Sequence, residues 1–252
     1  MILAVVRHWS RVVPSPTVTE LHSALGAVWR VTSGGRSYVL KRHESLDRLD
    51  QEQRVLRHLA EREVPVAVPV PTDDGRLVGD GAYTLAPALP GAAPTIGDAG
   101  AIGRALAQLH GALADFPARI ETYSMPHGQL PLQLVHGDFH GGNVLVSDGA
   151  VTGFVDFANL CYAPRVHDVA RYLVDQVLWV VARPDEREQS FRAAMADLVD
   201  GYRLTERERA ELVPAMRASA RSLAAWLRDT PGLPSDWPSI GAAAVSWIDD
   251  RL

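Results

Sequence analysis

Strand-forming residues fill positions 27–33 and 36–42, and two glycines, Gly34 and Gly35, separate the two runs. Glycine pairs accept the positive φ angles of a tight hairpin turn, so a β-hairpin is predicted here. Val39 and Lys41 lie two apart on the return strand and share a face. Over residues 46–62 the period changes. Leu49, Val55, Leu56 and Leu59 repeat at helical spacing, and Glu52 falls on the same stripe. A carboxylate on the inward face of a helix needs a partner. Lys41 is the natural candidate, and Glu44 is the alternative acid for that lysine. Residues 64–71 alternate valine with proline or alanine and read as extended chain. Asp73-Asp74-Gly75 marks a turn, and a short strand is predicted over 81–85.

Residues 87–94 hold three prolines and Gly91, which suggests a boundary between an N-terminal lobe, 1–87, and a C-terminal one, 88–252. Beyond it the pattern is mostly helical. Thr95 and Asp98 have the spacing of a capping box, and Ile102, Leu106, Leu109 and Leu113 form the stripe that follows. His110 ends that stripe and reads as a packed residue. Residues 133–157 break the pattern with strand-like pieces around a polar, glycine-rich loop. From Asp168 onward three further stripes appear: Val169 to Val180, Phe191 to Tyr202, and Leu212 to Leu227. Pro214 is expected to interrupt or kink the third. Trp226, Trp237 and Trp247 read as core or pocket wall.

Composition changes this picture in a few places. The 252 residues are 47% hydrophobic and 22% charged, as in a globular chain large enough to bury a real core. The net charge of −5 argues against a general nucleic-acid binder. Arg203, Arg207 and Arg209 are interleaved with Glu206, Glu208 and Glu211 and form a solvated helix face. The single cysteine, Cys161, rules out a disulfide within the chain and suits a reducing compartment. The apolar runs 1–6 and 177–182 are too short for a signal-peptide core or a bilayer span, so a cytoplasmic location with no membrane partner is expected. The 25 basic residues comprise 24 arginines and one lysine, Lys41. Lysine is a compact point charge and arginine a broad planar fork, so a tight slot for a small cation is one reason to keep lysine there.

The chemistry is concentrated in residues 134–157. Asp138 and Asn143 lie five apart in the loop, and Asp156 follows after a turn at Ser147-Asp148-Gly149. An Asp followed five residues later by Asn, with a second Asp beyond, is the spacing of a phosphoryl-transfer site. A phosphoryl group in flight needs an aligned hydroxyl, a weak base for its proton and a metal to neutralise charge. Asp138 suits the base. Asn143 and Asp156 are hard oxygen donors suited to Mg²⁺. Lys41 suits the α- and β-phosphates, with Glu52 holding its ammonium.

The segments His136-Gly-Asp-Phe-His-Gly-Gly-Asn143, Val155-Asp-Phe157 and His167-Asp-Val-Ala170, with Leu40-Lys-Arg42, Glu52 and Leu89-Pro-Gly91, resemble the aminoglycoside phosphotransferase and choline-kinase-like family. The likeness runs over roughly residues 20–180. It implies an α+β, bilobal, protein-kinase-like fold, with a small antiparallel-sheet N-lobe, a larger mostly helical C-lobe and the nucleotide between them. It implies ATP or GTP with Mg²⁺ as cofactors and a small-molecule hydroxyl acceptor, such as an antibiotic, homoserine, choline, ethanolamine or a sugar. Carried over by residue, Asp138 is the catalytic base, Asn143 and Asp156 bind metal, Lys41 binds phosphate and Glu52 orients Lys41. The phosphate-covering loop falls at 22–27, which places Ser23 and Gly26 at the nucleotide. The hinge near Leu85, Ala86 and Ala88 meets the adenine through backbone groups, although Pro87 has no N–H to donate. Asp168 is expected to brace the catalytic loop.

Two other readings use the same residues. A nucleotide-binding regulator would keep the fold without turnover. A metal-dependent hydrolase would use His136, Asp138 and His140 as ligands, joined by His110 or His167.

Overall fold

The computed structural model describes residues 2–21, 27–126, 128–182 and 184–252, the side chains of 184–187 excepted. The chain divides into two compact units, Met1–Leu89 and Pro90–Leu252.

The first unit opens with a short helix, α1 (Ile2–Val6), followed by strands β1 (Thr17–Leu21), β2 (Val28–Ser33) and β3 (Arg36–Arg42). Helix α2 (Leu49–Glu61) precedes the last strand, β4 (Tyr83–Pro87). The four strands form one antiparallel sheet in chain order. Gly34 and Gly35 both have positive φ, 57° and 76°, which closes the predicted β2–β3 hairpin with a two-residue turn. Tyr38 and Leu40 of β3 point into the core, while Val39 and Lys41 lie half-buried on the other face. That core also takes Val5, Val6 and Trp9 from the N-terminal segment, together with Val13, Val31 and Leu85. The Trp9 indole N–H donates to the Val70 carbonyl at 2.8 Å, so its polar end is satisfied inside the core.

Helix α2 ends in a left-handed residue, Glu63 at φ 58°. The Val64 N–H reaches the Leu59 carbonyl and the Glu63 N–H reaches the Ala60 carbonyl, both at 3.0 Å. These two bonds satisfy carbonyls that the end of a helix would otherwise leave open. Strand β4 starts two residues later than the sequence pattern suggests, because Asp80 and Gly81, with φ of 47° and 74°, are used in the turn before it.

The second unit begins with the Thr95–Asp98 capping box, which leads through one 3₁₀ turn into helix α3 (Ala99–Ala114). Strands β5 (Gln133–Val135), β6 (Val144–Ser147), β7 (Ala150–Phe154) and β8 (Cys161–Ala163) form two small antiparallel pairs, β5–β8 and β6–β7. Four helices complete the unit: α4 (Val166–Ala182), α5 (Pro184–Tyr202), α6 (Glu206–Asp229) and α7 (Trp237–Arg251). Pro214 does not interrupt α6, which runs through it from a second capping box, Thr205 with Glu208. The 24-residue helix keeps enough ladder bonds and apolar burial to tolerate one missing N–H. Trp247 is buried edge-on to Phe191, whereas Trp226 is 41% exposed. Among the described residues, no helix is long and apolar enough to cross a membrane.

Helices α3 and α5 touch backbone to backbone. A Cβ on Gly103 would sit 2.3 Å from the Leu198 carbonyl oxygen, and one on Gly201 would sit 2.4 Å from the Gly100 carbonyl oxygen. Contact at this range tolerates no side chain on either helix. Gly103→Ala should therefore lower stability by roughly 3 kcal/mol, seen as a melting temperature lower by about 6–12 °C. An unchanged melting temperature would show that the two helices are free to separate.

Candidate active site

The loop that carries Asp138 and Asn143 connects β5 to β6 in the second unit. Its shape is set largely by one residue of α4. The Asp168 carboxylate is fully buried and accepts the His136 N–H at 2.9 Å and the Gly137 N–H at 3.0 Å. A third bond comes from His110 Nε2 at 2.9 Å. Because a carboxylate only accepts, His110 carries its proton on Nε2, and its Nδ1 then accepts from the Tyr202 hydroxyl at 2.6 Å. Burial pushes the Tyr202 hydroxyl well above its ordinary pKa, so it stays a donor. Burial alone would raise the pKa of Asp168. The His110 hydrogen bond and the nearby His110, His167 and His136 outweigh it and hold the carboxyl at about 2.

Gly137 is the point where the loop turns. Its φ is +84°, and a Cβ there would lie 2.0 Å from the Asn159 carbonyl oxygen. No other residue fits. His136 packs its ring 4.7 Å from that of Phe157 and donates Nε2–H to the Val155 carbonyl at 3.0 Å. Phe157 is buried, and Asp156 just before it is exposed in the left-handed region at φ 64°. Aspartate is one of the few non-glycine residues that adopt this left-handed conformation.

Asp138 is one-third exposed, and both carboxylate oxygens face cationic or polar groups. Arg171 of α4 donates Nε–H to Oδ1 at 3.1 Å, and His140 Nε2 lies 3.7 Å from Oδ2. His140 Nδ1 accepts the Gly142 N–H at 3.1 Å, which leaves the proton on the nitrogen facing Asp138. Burial, helped by Arg171 and His136, lowers the His140 pKa against the pull of Asp138 and Asp175, which favours the neutral ring. Asn143 donates its amide N–H to the Asp138 carbonyl at 2.9 Å, and the Val155 N–H donates to the Asn143 carbonyl at 3.1 Å. Those bonds bring Asn143 next to the start of the Asp156 turn. They also engage the amide nitrogen of Asn143, so its side-chain oxygen is the end available to a cation. The donor set, one amide oxygen and one exposed carboxylate, fits a hard divalent ion such as Mg²⁺.

Two further residues of this site carry no sequence signal of their own. Arg171 and Asp175 follow Asp168 at three and seven positions, on the same face of α4. Asp175 accepts the Gly141 N–H at 3.0 Å. One helix face thus holds the loop at His136 and Gly137, at Asp138 and at Gly141. The rings proposed for a metal-dependent hydrolase are engaged elsewhere: His136 on Val155, His140 on Gly142 and His110 on Tyr202 and Asp168. Among the described residues, no group of three or more His, Cys, Asp and Glu side chains is placed to hold a metal ion.

The other expected residues lie in the first unit. Lys41 sits half-buried on β3, opposite Val28 of β2 and Thr84 of β4. Glu52 is half-buried in the first turn of α2, and Glu44 is exposed ahead of that helix. Ser23 and Gly26 lie outside the described residues. Leu85 is fully buried and its carbonyl accepts the Val70 N–H at 2.7 Å, while the Ala88 N–H donates to Ser37 at 2.9 Å. Those two backbone groups are therefore engaged within the first unit. Ala86 is half-buried and pairs with Val39.

Comparison with known proteins matches this chain to the model of the phosphotransferase enzyme family over residues 17–127 and 118–212. The chain belongs to that family. A homoserine kinase of Neisseria meningitidis serogroup B is 30% identical over 230 residues, covering 74% of each chain. Among solved structures, a microcompartment-associated aminopropanol kinase superposes with a TM-score of 0.79 at 17% identity, covering 98% of this chain and 95% of its own. An amicoumacin kinase in complex with AMP-PNP and Ca²⁺ gives 0.73 at 20% identity, covering 93% and 88%. The α+β, protein-kinase-like fold is shared with these enzymes, and the chain is a phosphotransferase.

The depressed pKa of Asp168 gives a signed prediction. A carboxyl whose folded value lies below its unfolded one stabilises the protein above the unfolded value, near 4, and that contribution fades as pH falls toward 2. Wild type should exceed Asp168→Asn in stability by about 2 kcal/mol or more near pH 6. In urea titrations the difference should shrink between pH 5 and pH 3. A gap that stays constant with pH would contradict this.

Proposed function

We propose that this phosphotransferase moves the γ-phosphoryl group of ATP or GTP, with Mg²⁺, onto a hydroxyl of a small molecule. The observation that carries the reading is the Asp138–Asn143–Asp156 arrangement. A partly exposed carboxylate is held in a fixed loop, with two hard oxygen donors tied to it through Asn143.

Each residue has a physical part. Asp138 accepts the hydroxyl proton as the acceptor oxygen attacks, and Arg171 and the Asp168-held backbone fix its direction. Bound metal would neutralise the charge that develops on the phosphates, and Asn143 and Asp156 are the residues to hold it. Lys41 places a point charge at the α- and β-phosphates, with Glu52 orienting it. The first unit then serves the nucleotide, and the second serves the chemistry and the acceptor. The family match and the kinases of similar fold, one of them solved with AMP-PNP and Ca²⁺, support nucleotide and divalent metal as the cofactors. The homoserine kinase and aminopropanol kinase relatives favour a small amino alcohol or hydroxy amino acid as acceptor. A regulator that binds nucleotide without turnover would have no need for a partly exposed carboxylate held at Oδ1 by Arg171.

Asp138→Asn should reduce transfer by about 10³-fold or more while leaving nucleotide affinity within a few-fold of wild type. Turnover at the wild-type rate would remove Asp138 from the mechanism. Asp156→Ala should abolish the Mg²⁺-dependent part of nucleotide binding measured by calorimetry. Lys41→Arg keeps the charge but should still lower kcat/KM by about 10-fold or more, because the guanidinium fork does not replace a compact ammonium. Full activity in that variant would mean that the lone lysine has no special part.

A further inference from the structure

Arg171 touches Asp138 through only one of its nitrogens. Nε–H donates to the carboxylate, whereas Nη1 is buried and has no hydrogen-bond partner among the described residues. A buried guanidinium N–H without an acceptor is costly, and such groups are rare enough in folded proteins that each asks for an explanation. Asp175 lies one turn further along α4. An arginine and an aspartate four apart on a helix commonly pair with each other. Here they do not: Arg171 turns to Asp138, and Asp175 places Oδ2 on the Gly141 N–H and the Gln176 amide. Both also act electrostatically on His140, so Arg171, Asp175 and His140 form one cluster around Asp138. The result is one positive and one negative group side by side on a single helix face, each with bonding capacity left, next to the residue that takes the acceptor's proton.

That arrangement suits a zwitterion. We propose that Arg171 and Asp175 determine acceptor specificity: the acceptor is a hydroxy amino acid, its carboxylate held by the Arg171 guanidinium and its ammonium by the Asp175 carboxylate. The inference rests on the kinase reading above and adds the substrate class to it. The anionic oxygen that completes Arg171 has a second conceivable source, the transferring phosphoryl group. Asp175 favours the acceptor instead, since its negative charge would repel phosphate and attract an ammonium.

The test uses pairs of acceptors that differ only in the carboxylate: L-homoserine against 3-amino-1-propanol, and L-serine against ethanolamine. Transfer from Mg·ATP and Mg·GTP is followed for wild type, Arg171→Gln and Arg171→Lys, with nucleotide binding measured on the same samples. Wild type should prefer the carboxylate-bearing member of a pair by roughly ten-fold or more in kcat/KM. Arg171→Gln should lower kcat for both members, because Asp138 loses its partner. It should raise KM roughly 10- to 100-fold for the amino acid alone. Arg171→Lys, which keeps the charge, should recover most of that KM. Where the glutamine variant fails to fold, the wild-type preference decides by itself. A wild type that favours the carboxylate-free member overturns the proposal. So does an Arg171→Gln loss that is equal for both members and accompanied by a raised nucleotide KM, which would assign the arginine to the phosphoryl group. Transfer to none of the four acceptors also overturns it. Mg·nucleotide binding in those samples would then leave the kinase reading standing, and its absence would remove that reading too.

Discussion

The active-site loop depends on a single buried carboxylate. Asp168 accepts two consecutive backbone N–H groups, His136 and Gly137, and a ring N–H from His110. Backbone donors buried this deep must find a partner, and a charged acceptor makes these bonds stronger than the neutral bonds of a turn. The position of Asp138 follows directly. Once His136 and Gly137 are fixed, the next residue has little freedom left, and Arg171 from the same helix takes what remains. Positioning a reactive group requires this kind of rigidity, because a group aimed an ångström away loses much of its effect.

The support behind Asp168 extends well into the second unit. His110 is held by the Tyr202 hydroxyl, and the Arg165 guanidinium lies 5.4 Å from the centre of the Tyr202 ring. Arg165 in turn binds Glu208 with both forks, one of them at 2.9 Å, and Glu208 also caps the start of α6 through Thr205. Helices α3, α4, α5 and α6 thus each contribute a member to a polar network that ends at the backbone of His136 and Gly137, just before Asp138. Such networks are favourable only when every member is satisfied. The close approach of α3 to α5 at Gly103 and Gly201 helps keep its members in register.

Much of this was legible in the sequence, and the limits have physical causes. The β2–β3 hairpin was legible because Gly34-Gly35 is a turn with a mechanism. The Thr95–Asp98 cap was legible because two side chains at fixed spacing satisfy helix-end donors. Asp138, Asn143 and Asp156 stood out through their spacing in one polar loop, and the structure ties Asn143 to Asp138 and to the residue before Asp156. Strand β1 and helix α1 were not legible: β1 is an exposed edge strand with little periodicity, and α1 is too short to show any. Pro214 does not end the helix because the rule about proline is local, whereas the stability of α6 comes from its packing. Arg171 and Asp175 left no trace because an arginine and an aspartate on a helix look like surface charges. Only the fold shows that this face of α4 turns toward the loop.

The most direct test of this account is amide hydrogen exchange at His136 and Gly137, compared between wild type and Asp168→Asn. If the buried carboxylate holds the loop, both amides should be among the slowest to exchange in the second unit of the wild type. Both should speed up by orders of magnitude in the variant, while amides in α7 change little. Fast exchange at these two positions in the wild type would contradict the account, since the loop would then be held by something other than Asp168.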